Sequence, residues 1–392
     1  MTSTRTDGPV SPETPFSWAG HAVDLASIER ELGRAWREAA LSGGIGQAPL
    51  ATRTNVLNLI VHASSDEEVA HVARLIEQLG VHHPSRTLIL LAQPDAPDDQ
   101  LDAWIKTHVH DLPGTNRRLA FEQVTIAAKG AAAQSLPTIA DPLLISELPN
   151  FLWWLNDPPF RTPLFTHMVD IVDRLIVDST CFRNPDVGFH ELSELSVIPE
   201  GVAVSDFGWG RMGPWRELIA QFFDPPALAP SLAALEAVEV RYEPTGPDGS
   251  SGLSMGILAL GWLCSRLGWQ VQPPARREDG GAARWTLRAG GRAIDATLSP
   301  EHDEDGVGGL RSLTLAAGGD HPGTFQVYRD STRHLATTVN VPGARQPDRL
   351  MRATLLEERD LLLHDLNQFG HDRLYEGALV FAAQLARGIT TV

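Results

Sequence analysis

Cysteine is nearly absent from this chain. Cys181 and Cys264 are the only two in 392 residues. Neither a disulfide framework nor a CxxC zinc site can be assembled from thiols so few and so far apart. Lysine is as scarce: Lys106 and Lys129 stand alone, and neither belongs to a glycine-rich phosphate loop, which excludes Walker-type phosphoryl transfer. No GxSxG elbow occurs, so the hydrolases built on that turn are excluded as well. No apolar run approaches the roughly 18 residues of a membrane-spanning helix. The stretch from Met1 to Val23, with Pro9, Pro12 and Pro15, lacks the apolar core of a secretory signal. These absences predict a soluble, cytoplasmic chain. Positive charge is short too, with 32 Lys and Arg against 49 Asp and Glu and a net charge of −17. Such a chain has no global field to draw it to nucleic acid or to an anionic membrane.

Apolar residues at 43% and charged residues at 21% give ordinary globular composition, and the length fits two or three domains. Residues 1–49 read as a loose tail followed by a helix from Asp24 to Ala40, broken at Gly43-Gly44-Ile45-Gly46. From residue 50 to 225 apolar β-type runs alternate with helical spacing. Strands are predicted at 55–61, 86–91, 120–127, 175–178 and 202–207, with helices after Ser64 or Ser65, at Leu101–Thr107, Leu164–Val172, Phe189–Leu195 and Pro214–Phe223. Near-continuous apolar strands between helices predict an N-terminal α/β domain with a doubly wound, mostly parallel sheet. Pro225, Pro226 and Pro230 mark the expected boundary. Residues 230–392 carry a helix at Leu253–Leu267, short β-type segments punctuated by paired glycines, and helical sequence at Arg349–Asp365 and Asp372–Ala386. This predicts an α+β C-terminal domain with an antiparallel sheet and terminal helices. The acidic stretch Glu301-His302-Asp303-Glu304-Asp305 reads as a solvated hairpin tip.

Single motifs point to little chemistry. Gly208-Trp209-Gly210-Arg211-Met212-Gly213 fits GxGxxG between a strand and a helix, but Trp209 and Met212 crowd the turn and no ribose-binding acid follows, so no nucleotide cofactor is expected. Asp206-Phe207-Gly208 imitates a kinase triplet without the other kinase segments. Among 14 histidines, His62, His71, His82 and His83 lie in the first strand–helix unit, and His108 and His110 near Asp111 form the one weak candidate for a metal; satisfied structural histidines are the plainer reading. Cys181 follows a strand without an identifiable His and Asp set, so it reads as an inert thiol and no catalytic residue is assigned.

The conspicuous feature is aromatic. Trp153, Trp154, Trp209 and Trp215 fall in two segments that also hold Arg211 and Arg216. Loops after the strands of a doubly wound sheet gather at its carboxyl edge, where ligands bind, and Trp and Arg also anchor protein interfaces. The group Trp153, Trp154, Trp209, Arg211, Trp215 and Arg216, with Asp206 orienting an arginine, is the predicted partner or ligand surface; the alternative places several of these tryptophans in the core. A sugar-phosphate reading of the same edge adds Arg53 and Arg86 as phosphate forks.

Several stretches make the sequence resemble one family. They are Thr52-Arg53-Thr54-Asn55-Val56-Leu57-Asn58-Leu59, His83-Pro84-Ser85-Arg86, and Glu147-Leu148-Pro149-Asn150-Phe151-Leu152-Trp153-Trp154. Ile171-Val172-Asp173-Arg174 through Ser179, and Gly208-Trp209-Gly210-Arg211 through Leu218, complete the set. Together they resemble the OpcA family, the glucose-6-phosphate dehydrogenase assembly proteins of actinobacteria and cyanobacteria. The resemblance implies a non-catalytic partner that binds glucose-6-phosphate dehydrogenase, favours its active oligomer and supports the oxidative pentose phosphate pathway and NADPH supply. It implies thioredoxin control for cyanobacterial members, and neither Cys181 nor Cys264, in different predicted domains, matches a regulatory thiol.

Overall fold

Runs such as Leu57-Asn58-Leu59-Ile60-Val61, buried on both faces of the strand, can only sit inside a sheet covered on two sides. A computed structural model places them so. It describes residues 13–41, 51–53, 55–80, 83–111, 118–198, 201–245, 250–277, 280–302, 308–331, 334–345, 349–352, 356–387 and 389. Gly43–Gly46 and Asp303–Asp305 lie outside the described residues. The chain divides into two compact units, one of Met1–Leu155 with Arg161–Leu175, the other of Asn156–Phe160 with Ile176–Val392. The prolines at 225–230, where a boundary was expected, lie inside the second unit. There Pro230 occupies the first turn of a short helix, a position that tolerates a missing N–H.

In the first unit the chain runs β1 (Glu13–Gly20), α1 (Leu25–Leu41), β2 (Ala51–Arg53), β3 (Leu57–Ala63), α2 (Asp66–Leu79), β4 (Ser85–Gln93), β5 (Gln100–Asp111), β6 (Arg118–Lys129), α3 (Leu136–Ala140), β7 (Asn150–Trp154) and α4 (Pro163–Asp170). Strand order is β1-β5-β6-β4-β3-β7, and β2 pairs with β6. The pairs β3–β4, β4–β6 and β3–β7 are parallel, as expected for the α/β part. β5 is a correction. Leu101–Thr107 was expected to be helical, yet it belongs to a twelve-residue strand antiparallel to β6. Ala103, Ile105, Thr107 and Val109 are buried at period two, and that alternation prevails over the local helical spacing. The expected loose tail is also corrected, because β1 pairs with β5 from Glu13 to Gly20.

The division between units falls inside β8 (Arg174–Val177). The second unit continues through α5 (Pro185–Ser196), β9 (Ala203–Asp206), α6 (Phe207–Arg211), α7 (Gly213–Gln221) and α8 (Ala229–Ala233). Then come β10 (Leu235–Glu243), α9 (Ser250–Leu267), β11 (Gln270–Arg277), β12 (Ala283–Ala289), β13 (Arg292–Pro300), β14 (Gly309–Ala317), β15 (Gly323–Ser331), β16 (His334–Val341), β17 (Ala344–Arg345), β18 (Arg349–Arg352), α10 (Glu358–Leu366) and α11 (Arg373–Ala386). The sheet order is β11-β12-β13-β10-β14-β15-β16-β17, with β18 on β16. It is antiparallel except for β10–β13. Gly290 and Gly291, both at positive φ, turn the β12–β13 hairpin as their pairing predicts. Residues 349–352 are strand rather than helix, and the helix begins at Glu358. One face of this sheet is apolar and buried, with Val238, Val240, Leu313, Leu315, Phe325 and Val327 at 1% exposure or less. α9 packs against β10, β13 and β14.

Candidate functional site

Two strand ends in the second unit position the polar groups. β8 delivers Asp178 and a single 3-10 turn over Ser179–Cys181, and β9 delivers Asp206 at the start of α6. Asp206 is fully buried. Its Oδ1 accepts from the backbone N–H of Gly208 at 2.8 Å and of Ser179 at 2.9 Å, and Tyr375 Oη donates to its Oδ2 at 3.4 Å. Loss of water and the neighbouring charge of Asp178 push its pKa up to about 6 despite those donors. The same burial and the Asp206 charge hold the Tyr375 phenol well above its usual range.

Arg211, the last residue of α6, aims Nη1 at both oxygens of Asp178, each 2.8 Å away. Thr180 Oγ1 donates to the same carboxylate at 2.5 Å. A second cluster lies on α6, α7 and α11. The guanidinium carbon of Arg216 sits 3.3 Å from the centre of the Trp209 ring, and Trp209 Nε1 donates to Asp372 Oδ2 at 3.0 Å. The other oxygen of Asp372 caps α11 by accepting from Leu374 and Tyr375. Burial lowers Arg216 to about 10, opposed by the Asp372 charge. The turn between α10 and α11 presents Phe369, 72% exposed, and the first turn of α11 presents Leu374, 50% exposed.

The predicted surface is thus divided. Asp206, Trp209, Arg211, Trp215 and Arg216 stand on consecutive elements of the second unit. Trp153 and Trp154 are on β7 in the first unit, each 1% exposed, as core residues rather than loop anchors. Trp209 and Trp215 are helical and largely buried. Among the described residues Asp206 is bonded to Ser179, Gly208 and Tyr375 rather than to an arginine, and Asp178 holds Arg211 instead. Sequence reasoning missed Asp178, Asp372, Tyr375 and Phe369. The signal for Asp178 was a carboxylate at the end of an apolar strand, and for Asp372 an N-cap residue ahead of Leu374.

The phosphate-fork reading fares poorly on geometry. Arg86 is buried on β4 against Glu122 and donates to the Leu143 carbonyl at 2.6 Å. Arg211 is taken up by Asp178, and the side chain of Arg53 on β2 lies outside the described residues. Two of the three glycines of the GxGxxG-like run also have a packing reason. A Cβ on Gly208 would strike the Ser179 hydroxyl, and one on Gly210 would lie 2.6 Å from Leu361 of α10. Among the described residues no cluster of three or more His, Cys, Asp or Glu could hold a metal. His108 and His110 instead lie against the ring of Phe121.

The order β6-β4-β3-β7 is that of a doubly wound sheet, whose usual dinucleotide site lies beyond the carboxyl ends where the winding reverses, here β3 and β7. The residues there do not fit such a ligand. His62 and Trp154 are register partners at those two ends, with rings stacked 3.7 Å apart at 9°. The following helix, α2, opens with Asp66, Glu67 and Glu68 where a pyrophosphate would need positive field. Its first donors are used internally, since Ser64 N–H donates to Glu68 Oε2 at 2.7 Å and Glu68 N–H to Ser65 Oγ at 3.3 Å.

Cys181 and Cys264, expected in different domains, both belong to the second unit. Desolvation pushes each thiol up to about 12, with the Asp178 charge adding to it at Cys181, so the reactive thiolate is suppressed. Among the described residues no helix is long and apolar enough to cross a membrane.

The model for the glucose-6-phosphate dehydrogenase subunit N-terminal domain of OpcA matches residues 76–194, and the model for the corresponding C-terminal domain matches residues 202–379. A protein of Nostoc punctiforme, named provisionally as the OxPP cycle protein OpcA, is 27% identical over 323 residues, covering 80% of this chain and 67% of that one. Its namesake in Synechocystis sp. is 27% identical over 323 residues, covering 78% of this chain and 64% of its own. The chain therefore spans about two thirds of the length of these relatives. Among solved structures, a levoglucosan dehydrogenase complexed with NADH aligns with a TM-score of 0.46 at 11% identity, over 83% of this chain and 95% of that one. An oxidoreductase from Sinorhizobium meliloti aligns at 0.43 and 13%, over 85% and 89%.

Proposed function

The chain belongs to the OpcA family of glucose-6-phosphate dehydrogenase assembly proteins, and from that premise we propose that it is a non-catalytic partner of this dehydrogenase in the cytoplasm. It binds the enzyme, favours its active oligomer, and so supports the oxidative pentose phosphate pathway and NADPH supply. The observation that carries the reading is the cluster on the second unit, where Arg216 stacks on Trp209, Trp209 donates to Asp372, and the segment that holds Asp372 also carries the exposed Phe369 and Leu374. An aromatic and arginine anchor already held in place by ring stacking and by the Trp209 hydrogen bond loses little freedom on docking. The same residues offer neither a paired acid and base nor an activated nucleophile, which supports binding over catalysis.

The mechanism is differential affinity. If the active state of the dehydrogenase presents a surface that this cluster fits better, its population rises by the difference in binding free energy. A coupling of about 1–3 kcal/mol changes the active fraction or substrate affinity roughly 5- to 150-fold. Of the arginines available to the sugar-phosphate alternative, Arg86 and Arg211 are held by carboxylates, which weakens it.

The test is titration of the dehydrogenase of the same organism with this chain, reading activity and complex mass together. Saturable activation with a new complex is expected. Phe369→Asp should raise the concentration for half-maximal activation by about tenfold or more, equivalent to about 1.4 kcal/mol, while thermal unfolding of the isolated chain stays unchanged. No activation and no complex would overturn the proposal.

A further inference from the structure

The outward face of the C-terminal sheet is unusual for a face left to water. Its register sets Thr297, Glu239, Thr314, Gln326 and Thr338 in one line across β13, β10, β14, β15 and β16. These side chains alternate with the buried apolar ones and point away from α9. The flanking lines on β14, β15 and β16 carry no charge either. The central charges are Glu239 and Arg241 on β10, which pair with each other at 2.8 Å; towards the β11 end the same face also carries Asp295, Arg284, Arg288 and Arg276. Solvated strands of a chain carrying −17 would ordinarily display carboxylates. From β14 to β16 this face displays hydroxyls, amides and methyls, with charges of both signs kept to β10–β13 and the β11 edge, and depletion of charge is what marks the centre of an interface.

We propose that this face is where two copies of the chain associate, sheet against sheet. The argument for a second copy is charge and area. Two chains of −17 repel almost everywhere, and a near-neutral flat face is where that repulsion is least. A two-fold interface must also be self-complementary, and Glu239 and Arg241, two residues apart on one strand, let each copy meet the opposite sign in the other. Eight strands about 4.8 Å apart and mostly eight or nine residues long give a face of roughly 900 Å². A standard specific interface buries about 800 Å² per partner. Small side chains allow the close sheet-to-sheet spacing that such packing uses. This association involves no dehydrogenase and stands independently of the function proposed above.

Sedimentation velocity of the full chain alone, from about 1 to about 100 µM, decides it. A concentration-dependent dimer is expected. The double variant Thr314→Glu/Gln326→Glu should raise the dimer dissociation constant by about 100-fold through apposed like charges, while Thr314→Ser and Phe369→Asp remain dimeric. Circular dichroism checks folding, and Gln326→Glu alone replaces the double variant should that one unfold. A wild-type monomer throughout the range overturns the proposal. So does a dimer that the glutamates leave intact, or a monomer whose glutamate variant loses dehydrogenase binding, which would assign the face to the enzyme.

Discussion

Asp206 has left water and faces the charge of Asp178, so the folded chain keeps a proton on it that the unfolded chain has already released near its ordinary value of 3.8. The folded state binds more protons between pH 3.8 and about 6, and stability therefore falls as pH rises through that window and is flat above it. Asp206→Asn, which keeps an acceptor for the two backbone donors, should remove this slope, of order 3 kcal/mol at about 1.4 kcal/mol per tenfold. His62 runs the other way. Burial lowers it from 6.5 to about 4, so its neutral form supports the fold above pH 6.5 and that support is lost as pH falls towards 4. His62→Phe, retaining a ring against Trp154, should abolish that loss. Melting temperature against pH for the two variants checks both signs. At Arg86 the prediction concerns a buried pair. Arg86→Met removes a guanidinium partner from the buried Glu122 carboxylate and should destabilise by about 3–5 kcal/mol in urea denaturation, whereas adding Glu122→Leu should recover part of that. Residue type had marked Trp209, Arg211 and Arg216 in the sequence, but not their partners. Asp178 is 33 residues from Arg211 and Asp372 is 163 from Trp209, and no local pattern reports pairings that only folding creates.

Elements that repeat one period over their whole length were legible. β3, β4, α2 and the β12–β13 hairpin stand where their patterns placed them, and Ser65 caps α2 as expected. β5 was not, because Leu101, Ala103, Trp104 and Ile105 satisfy helical spacing over one turn and strand alternation over three, and the antiparallel partner β6 decides between them. β11 escaped for a different reason. Pro273 and Pro274 argue against a strand, and the structure tolerates them at the sheet edge across an irregular register with β12. The glycines of α6 fit a nucleotide-loop pattern that the sequence itself argued against, and they are room for Ser179 and Leu361. Gly210→Val should force α6 and α10 apart and lower the melting temperature of the isolated chain by several degrees, as overpacking of about 1–3 kcal/mol would.

At the scale of the molecule, self-repulsion from a net charge of −17 opposes compaction, and salt screens it. Raising sodium chloride from about 10 to about 150 mM should therefore raise the melting temperature, and a fall would mean that ion pairs such as Arg34–Glu38 and Arg241–Glu301 outweigh the net field. The edge of the first sheet carries a consequence in time. Glu13 meets Val109 and Gly20 meets Ala103 across β1 and β5, so the opening strand is held by a segment more than eighty positions downstream. A chain emerging from the ribosome at about 5–20 residues per second exposes β1 for several seconds before its hydrogen-bonding partner exists. During that wait β1 is an unclaimed edge available to other chains, and a pause in translation between β1 and β5 should raise aggregation more than an equal pause after β6.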